Sequence, residues 1–343
     1  MSRIAVIGAG AWGTGLSIVL GRTGGHQVRL WAHEEDVQKS ITASRENTKF
    51  LPGYPIPETV TPTNDLKVAL EGADIVVSVM PSHHCRTLFT QLRHHLRPNM
   101  LLVSATKGLE NESLLRMTQV IDEVVSEGNR FHPRVGALSG PSFAREVARG
   151  DPTAITIATT DAELGQRVQG EFSDPSFRVY TNDDVTGVEL GGALKNIIAI
   201  AAGVCDGLGL GHNSVAALIT RGLAEITRLV LAAGGRRETM AGLAGLGDLV
   251  LTCTGELSRN RSVGVELGRG RKLNDIIGGM HGMVAEGVRT TNAAVGLSRK
   301  LGVEMPITEQ MHLILQQGKA PRDAIYELMT RTGKSESSAV ITT

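Results

Sequence analysis

A lysine stands inside an otherwise small and apolar segment of this 343-residue chain. Lys195 follows Leu194 and lies four residues from Gly191 and from Ala199. At helical spacing, the face that carries the amine therefore lacks bulk, and another group can approach it closely. Burial disfavours the charged form, so we expect a lowered pKa that suits proton transfer near neutral pH. The alternative is a lysine whose stem lies along the helix while its head reaches water.

A glycine-rich turn near the start of the chain predicts a dinucleotide site. Gly8, Gly10 and Gly13 fit the pattern G-x-G-x-x-G between a β-branched run and an apolar helical segment. Gly8 allows the tight turn, Gly10 lets a pyrophosphate approach the backbone amides, and Gly13 lets the helix pack on the strand. The helix N-terminus would then face the diphosphate. A plain glycine-rich turn is the alternative.

The end of the second predicted strand bears on the choice of cofactor. Many NAD enzymes place a carboxylate there to bind the ribose 2′-hydroxyl, whereas this chain has His33. His33, together with Arg45 or Lys49, would attract a 2′-phosphate, which favours NADPH or the use of both NADPH and NADH. Glu34, one residue later, is a carboxylate that could bind the ribose 2′-hydroxyl, so NAD stays an alternative. Far along the chain, the small-residue turn at 284–287 predicts either a further cofactor contact or a helix cap.

Polar residues also follow later predicted strands, where doubly wound sheets bind their ligands. Lys107 stands in Ala-Thr-Lys-Gly after one strand, and Gly140 and Ser142 follow another. As a second amine, Lys107 would polarise a carbonyl oxygen and help to lower the pKa of Lys195. The alternative is a surface lysine.

The second half of the chain contains a candidate anion site. Ser258, Arg259 and Asn260 stand at the start of a predicted helix, where a hydroxyl, a guanidinium and an amide suit a phosphate. Asp248 opens the apolar segment before them and would orient the Lys195 amine. The alternative is a solvated arginine-rich turn, with Asp248 as a helix N-cap.

The order of apolar patterns predicts an α/β protein: a Rossmann-like doubly wound N-terminal domain, residues 1–187, and an all-α C-terminal domain, residues 188–343. After about Val185 the strand patterns stop and helical ones follow. The predicted strands are Ile4 to Ile7, Val28 to Trp31, Ile75 to Met80, Leu101 to Ser104, Val135 to Leu138, Ala154 to Ala158 and Arg178 to Tyr180.

Composition narrows the functional class. The chain has 35 basic and 35 acidic residues, so no net charge favours nucleic acid or an anionic membrane as a partner. Cys85, Cys205 and Cys253 form no CxxC, which predicts free buried thiols in a reducing cytoplasm and no metal site. No uninterrupted apolar stretch is long enough to span a bilayer, so we expect no stable membrane insertion.

Six motifs, in order along nearly the whole chain, resemble bacterial-type NAD(P)-dependent glycerol-3-phosphate dehydrogenases. They are Gly-Ala-Gly-Ala-Trp-Gly-Thr at 8–14, Ala-Thr-Lys-Gly at 105–108, Ser-Gly-Pro-Ser-Phe-Ala at 139–144, Leu-Lys-Asn-Ile-Ile-Ala at 194–199, Gly-Leu-Gly-Asp-Leu at 245–249 and Ser-Arg-Asn-Arg at 258–261.

The resemblance implies a cytoplasmic enzyme that reduces dihydroxyacetone phosphate to sn-glycerol 3-phosphate with NADP or NAD, for phospholipid synthesis. It implies that Lys195 exchanges the proton, with Lys107 and Asp248 beside it in the catalytic set. The cofactor contacts beyond the three glycines would be Ala11, Trp12, His33, Lys107, Ala144, Arg259, Val284 and Glu286. The substrate contacts would be Lys107, Gly140, Ser142, Lys195, Asp248, Ser258, Arg259 and Asn260, to which we add Thr252 at the end of the segment that Asp248 opens.

Two alternatives stay open at this point. One is a related two-domain reductase of the 3-hydroxyisobutyrate or 6-phosphogluconate type, although a short carboxylate substrate would not need the motifs at Asp248 and Arg259. The other is a non-catalytic dinucleotide sensor, which would leave Lys107 and Lys195 without a role. The cofactor preference and the oligomeric state are undetermined, with a homodimer as the candidate that the resemblance suggests.

Overall fold

A computed structural model describes residues 2–128, 131–280, 285–333 and 335–336. The chain divides into two compact units. The first unit is Met1–Lys107 with Leu115–Glu189, and the second is Gly108–Leu114 with Leu190–Thr343. Gly108–Leu114 thus belongs to the second unit although it lies within the first half of the chain. We predicted two domains, each one continuous stretch, with the boundary at residue 187. That division does not separate 108–114 from the first domain, and it stays a prediction.

The first unit is built on an eight-stranded sheet in the order β10-β9-β8-β7-β6-β1-β2-β5, and β3 and β4 form a separate two-stranded sheet. Its strands are β1 (Ser2–Ile7), β2 (His26–Trp31), β3 (Glu46–Asn47), β4 (Leu51–Pro55), β5 (Val60–Thr63), β6 (Ile75–Ser78), β7 (Leu101–Ser104), β8 (Arg134–Ser139), β9 (Thr153–Ala158) and β10 (Phe177–Asn182). Its helices are α1 (Ala11–Arg22), α2 (Glu35–Ser44), α3 (Leu66–Leu70), α4 (Cys85–Leu92), α5 (Met117–Gly128), α6 (Ala144–Arg149) and α7 (Ala162–Phe172).

Helices cover both faces of the large sheet. Alternate residues of β1 enter different hydrophobic clusters: Ile4 packs in the cluster that includes α1 and α7, and Ala5 packs in the one that includes α4 and α5. A strand that is buried on both faces reads as a continuous apolar run, which is why β1 was visible in the sequence. The order changes direction around β1, between β6 and β2, and the glycine turn follows β1 at this switch point. The predicted Rossmann-like fold is confirmed.

The structure corrects the strand prediction in two ways. All seven predicted strands are present within about two residues of their predicted ends, but β3, β4 and β5 were missed. Pro52 and Pro55 in β4 and Pro62 in β5 explain the omission, because proline is a poor strand residue outside edges, and β5 is an edge strand. The sheet is also not wholly parallel, since β8 pairs with β9 in the antiparallel sense.

In the described part of the second unit all regular elements are helical, as predicted. They are α8 (Val185–Gly207, whose first turn belongs to the first unit), α9 (His212–Ala232), α10 (Arg237–Met240), a π-helical turn (Leu243–Gly247), α11 (Asp248–Thr254), α12 (Arg259–Gly268), α13 (Leu273–Gly278), α14 (Glu286–Leu301), α15 (Pro306–Gln317) and α16 (Pro321–Met329). Residues on every face of α8 are buried, so it is the central helix of this unit's core.

The expectation that no uninterrupted apolar stretch spans a bilayer is to be compared with α8, whose apolar sequence is interrupted by Glu189 and Lys195. Among the described helices, α8 has the length and composition of a membrane span. Its apolar window is entirely buried inside the protein, which is typical of a core helix. The polar interruption at Lys195 and Asn196 concealed the length of the segment in the sequence.

Candidate active site

The glycine turn of the first unit has the geometry that a dinucleotide needs. Gly8 has a φ of +125°, and a Cβ added to it would lie 2.1 Å from the carbonyl oxygen of Val79. A Cβ at Gly13 would lie 1.9 Å from the carbonyl oxygen of Gly8, so α1 packs directly on the turn. A Cβ at Gly10 would meet no atom within 4 Å. Gly8 and Gly13 are therefore required by the fold, whereas the space beside Gly10 is open for a ligand.

The start of α1 adds two features that suit a nucleotide. Gly10 is the N-cap of α1 and Ala11 its first residue, and no side chain caps the helix, so a diphosphate would meet the positive end of its dipole. Trp12 is half-buried, and its buried Nε1 has no hydrogen-bond partner among the described residues. A buried donor without an acceptor is costly, and a bound ligand would satisfy it. Ala144 begins α6, and its carbonyl oxygen lies 3.1 Å from a Cβ added at Gly15 of α1.

The end of β2 narrows the candidates for a 2′-phosphate contact. His33 is exposed two residues after the end of β2. Arg45 instead donates hydrogen bonds to the carbonyl oxygens of Ile56, Pro57 and Val60, and Lys49 pairs with Asp36 at 3.2 Å. Arg45 therefore holds its own loop together, and His33 is the better candidate of the three.

Lys107, Gly140 and Ser142 meet at the carboxyl ends of the adjacent strands β7 and β8. The Nζ atom of Lys107 donates to the carbonyl oxygen of Gly140 at 2.9 Å, and the Ser142 hydroxyl donates to the same oxygen at 2.9 Å. Gly140 has a φ of +141°, and a Cβ there would lie 2.9 Å from Cα of Ile155. Lys107 is half-buried in this cluster, which is unlike a solvated surface lysine.

In the second unit, Lys195 is buried and paired. Its side chain is 7% exposed and that of its partner Asp248 is 1% exposed. The ammonium donates to Oδ1 of Asp248 and, at 3.0 Å, to Oγ1 of Thr252. The Thr252 hydroxyl gives its own proton to the Asp248 carbonyl oxygen at 2.6 Å, so it presents a lone pair to the lysine. Both contacts stabilise the charged amine against the cost of burial.

The small residues beside Lys195 allow the close approach that was predicted, and the approaching group is protein backbone. A Cβ added at Gly191 would lie 2.7 Å from the carbonyl oxygen of Ala244, in the π-helical turn that leads into α11. The backbone that leads to Asp248 therefore occupies the space beside Gly191. Asp248 is also not the N-cap of α11, because that position is Gly247.

The same pair influences a neighbouring thiol. Burial raises the pKa of Cys253 to about 12, with a smaller raising effect of the Asp248 charge and a lowering effect of Lys195. Burial likewise raises the pKa of Cys205 to about 11. All three cysteines are free and buried, as predicted. Cys253 is therefore a neutral thiol that helps to keep the ion pair away from water.

The predicted anion site lies at the start of α12. Ser258 is its N-cap, is 3% exposed and accepts a hydrogen bond from the Arg261 amide at 3.2 Å. Asn260 is buried: it donates to Oδ1 of Asn196 at 3.0 Å and accepts from the Gly287 amide at 3.0 Å. Arg259 is half-buried. Ser258 and Asn260 thus build the helix start, and Arg259 is the stronger candidate for a direct ligand contact.

Close helix packing sets α12 against the lysine helix. A Cβ at Gly203 of α8 would lie 2.0 Å from the Arg261 carbonyl oxygen, and a Cβ at Gly264 of α12 would lie 1.9 Å from the Ile200 carbonyl oxygen. Only glycine permits this approach of the two backbones. The start of α12 is consequently tied to the helix that carries Lys195.

Two buried amides were missed at the sequence level. Asn196 is 5% exposed and contacts Asn260, and Asn47 is fully buried and contacts the glycine turn. Asn196 stands beside Lys195 in an apolar helical segment, and an amide in such a segment indicates a buried hydrogen bond. Glu286 is the first residue of α14, whereas Val284 lies outside the described residues.

The sequence matches models of one enzyme family over most of its length. Residues 3–165 match the N-terminal domain of NAD-dependent glycerol-3-phosphate dehydrogenase, and residues 184–326 match its C-terminal domain. The chain belongs to this family. It is therefore an oxidoreductase that uses NAD or NADP.

Individual relatives agree with this family over nearly their whole lengths. Glycerol-3-phosphate dehydrogenase [NAD(P)+] of Koribacter versatilis is 71% identical, over 98% of this chain and 99% of that protein. The protein of the same name from Acidobacterium capsulatum is 58% identical, over 98% of this chain and 100% of that protein. The crystal structure of glycerol-3-phosphate dehydrogenase from Coxiella burnetii has a TM-score of 0.90 at 41% identity, over 96% of this chain and 99% of that one. Family membership includes both units, so the glycine turn and the Lys195 pair belong to one enzyme.

Proposed function

We propose that this protein catalyses the reversible reduction of dihydroxyacetone phosphate to sn-glycerol 3-phosphate, with Lys195 as the acid and base. The observation that carries the proposal is the buried Lys195 ammonium, held by Asp248 and Thr252. The relatives at 71% and 58% identity bear the name of this activity. The two alternatives from the sequence, a hydroxy-acid reductase and a dinucleotide sensor, have no comparable support.

The cofactor fits the residues of the first unit. Gly10 leaves open space at the positive end of α1, and the Trp12 Nε1 lacks an acceptor among the described residues. We assign the pyrophosphate to Gly8, Gly10, Ala11 and Gly13, and further contacts to Trp12, His33, Lys107, Ala144, Arg259, Val284 and Glu286. When bound, NAD(P)H supplies the hydride that reduces C2 of the ketone.

Lys195 completes the reduction by donating a proton to the oxygen on C2. Asp248 keeps the amine charged before the transfer and orients it through the shared hydrogen bond. In the reverse direction the neutral amine accepts the proton of the C2 hydroxyl. Lys107 shares the stabilisation of the oxygen, and Gly140 and Ser142 hold Lys107 in place through the common carbonyl contact.

The phosphate of the substrate binds at the start of α12 in this proposal. Arg259 supplies a charge-assisted contact, and Ser258, Asn260 and Thr252 complete the surroundings of the substrate. The binding energy of the phosphate orients the carbonyl group for reaction. We further propose a cytoplasmic enzyme that supplies glycerol 3-phosphate for phospholipid synthesis, with a homodimer as the candidate assembly.

A spectrophotometric assay tests the proposal. NADPH and NADH oxidation are each followed with dihydroxyacetone phosphate, and with dihydroxyacetone as the matched substrate that lacks the phosphate. We expect oxidation with the phosphorylated ketone and much weaker oxidation without the phosphate. Cofactor binding with no turnover would favour the sensor. Turnover that does not depend on the phosphate would favour a different reductase.

A further inference from the structure

Asn47 is a buried amide that reaches the glycine turn from outside it. The residue lies in β3 and is 0% exposed. Its Nδ2 atom donates at 2.8 Å to the carbonyl oxygen of Ala9 and at 2.8 Å to Oγ1 of Thr14. Thr14 is also fully buried, and its hydroxyl lies 3.4 Å from the same Ala9 oxygen. A side chain far along the chain therefore holds one particular carbonyl of the loop.

The direction of the Asn47 amide is determined by its own neighbours. The backbone N–H of Phe50 donates to Oδ1 of Asn47 at 3.1 Å. Because an N–H must face an oxygen, the other end of the amide is the NH₂ group. That group points at Ala9 and Thr14, and both of its partners are acceptors. Asn47 is therefore a donor toward the loop, and an acceptor in its place would repel the Ala9 carbonyl.

Fixing the Ala9 carbonyl also fixes the amide that follows it. In a trans peptide the C=O of one residue and the N–H of the next point in opposite directions. The described residues contain no cis peptide bond. With the Ala9 carbonyl directed at Asn47, the Gly10 N–H points away from Asn47. A Cβ added at Gly10 would meet no atom within 4 Å, so this residue faces open space.

We propose that Asn47 is a positioning residue for the cofactor: it orients the Ala9–Gly10 peptide so that the Gly10 amide donates to the diphosphate. This inference rests on the proposed function, in that the glycine turn is where the diphosphate binds. Asn47 itself touches no ligand in this proposal. Thr14 assists it as the second acceptor of the NH₂ group.

Ligand binding in the absence of substrate tests the role. Dissociation constants are measured by calorimetry for NADPH, and by competition for adenosine 2′-monophosphate, which lacks the diphosphate. Asn47→Asp keeps the shape but replaces the donor with an acceptor. We expect NADPH to bind about 10-fold more weakly, the effect of roughly one misdirected hydrogen bond, and the 2′-monophosphate to change by less than about 2-fold.

Two matched controls separate positioning from general damage. Glu46→Ala removes the contact of Glu46 with the Gly53 amide, at 2.7 Å, in the same two-stranded sheet but away from the glycine turn. We expect this variant to bind NADPH like the wild type. Thr14→Ser should preserve NADPH binding because it keeps the hydroxyl, whereas Thr14→Val should weaken it. If Asn47→Asp does not fold, as judged by thermal melting, the Thr14 pair decides.

Three results would overturn the role of Asn47. The first is a wild-type NADPH affinity in folded Asn47→Asp, or in Thr14→Val if Asn47→Asp does not fold. The second is that Asn47→Asp weakens the binding of NADPH and of the 2′-monophosphate equally. The third is that Glu46→Ala loses as much NADPH affinity as Asn47→Asp. A wild-type protein that binds NADPH but does not oxidise it with dihydroxyacetone phosphate would instead defeat the proposed function. The contrast between the two ligands would still stand in that case.

Discussion

The glycine turn and the Lys195 pair are built by opposite means. The turn uses backbone: three glycines within six residues, followed by a helix start that no side chain caps. The pair uses side chains that are distant in the sequence, because Lys195 and Asp248 are 53 positions apart and Asn196 and Asn260 are 64 apart. A local motif can therefore specify the first site, whereas only the packing of α8, α11 and α12 assembles the second.

This difference predicts different responses to mutation. In the turn, the residue nearest the proposed ligand is the one that the fold tolerates best, since a Cβ at Gly10 meets no atom. In the second unit, the proposed catalytic group is itself part of the core, since Lys195 is 5% exposed and paired with a buried carboxylate. Function and stability are thus separable at the first site and coupled at the second.

The largest expected effect is at Lys195. Lys195→Ala should reduce kcat by about 100-fold or more, because the reaction loses its acid. It should also destabilise the protein, because Asp248 is left as an unpaired buried charge, at a cost of about 3–5 kcal/mol. Steady-state kinetics and thermal melting measure the two effects, and NADPH affinity should stay near the wild-type value.

A double variant isolates the chemical contribution. Lys195→Met combined with Asp248→Asn removes both charges and leaves no unpaired one, so it should recover much of the stability but none of the activity. Near wild-type turnover in either variant would remove Lys195 from the proposed role. Recovery of activity along with stability would show that the pair is only structural.

Arg259→Ala should act on the substrate rather than on the fold. Loss of one charge-assisted contact to the phosphate should raise the KM for dihydroxyacetone phosphate by about 10–100-fold. At saturating NADPH, which offsets the cofactor contact also assigned to Arg259, the rate with dihydroxyacetone should change far less, because that ketone has no phosphate. Arg269→Ala is a suitable control, since Arg269 is exposed at the end of α12 and pairs with Glu266. Equal losses with both ketones would argue against a phosphate contact.

Gly10→Ala and Gly13→Ala test whether cofactor binding and stability are separable at the glycine turn. Gly10 has a φ of −68°, which alanine adopts readily, so Gly10→Ala should fold normally but bind NADPH about 10-fold more weakly. Gly13→Ala should lower stability by at least about 2 kcal/mol, since its Cβ would overlap the Gly8 carbonyl oxygen. Calorimetric titration and chemical denaturation give the two values. A destabilised Gly10→Ala with normal affinity would reverse the assignment.

The same contrast explains what could be predicted from the sequence. The strands around the glycine turn could be predicted because each is a short apolar run. The pattern G-x-G-x-x-G specifies the local geometry of the turn itself. The prolines of β4 and β5 hid those strands, and no local pattern reveals that β9 runs antiparallel to β8. In the second unit, the residue types around Lys195 predicted a buried amine. They could not show that the backbone of Ala244 fills the space at Gly191, because that contact depends on tertiary packing.

Glu225 provides the smallest effect on activity and a reference for Asp248, since both are buried carboxylates of the second unit. Glu225 is 1% exposed and accepts hydrogen bonds from the Ile307 amide at 2.9 Å and the Thr308 amide at 2.8 Å, at the start of α15. Glu225→Gln offers only one oxygen, so unfolding free energy should fall by about 1–3 kcal/mol while kcat stays unchanged.

The pH dependence of that loss distinguishes Glu225 from a simple cap. Burial raises the pKa of Glu225 above its value in the unfolded chain, against the lowering effect of the hydrogen bonds from Thr308 and Ile307. The contribution of this group to stability is then complete below the unfolded value and is lost as pH rises through the folded value. Denaturation at about pH 5 and about pH 8 should therefore show the wild type losing its advantage over Glu225→Gln at the higher pH. A gap that widens with pH would mean that the hydrogen bonds at α15 outweigh burial, and that Glu225 is stabilised in its charged form.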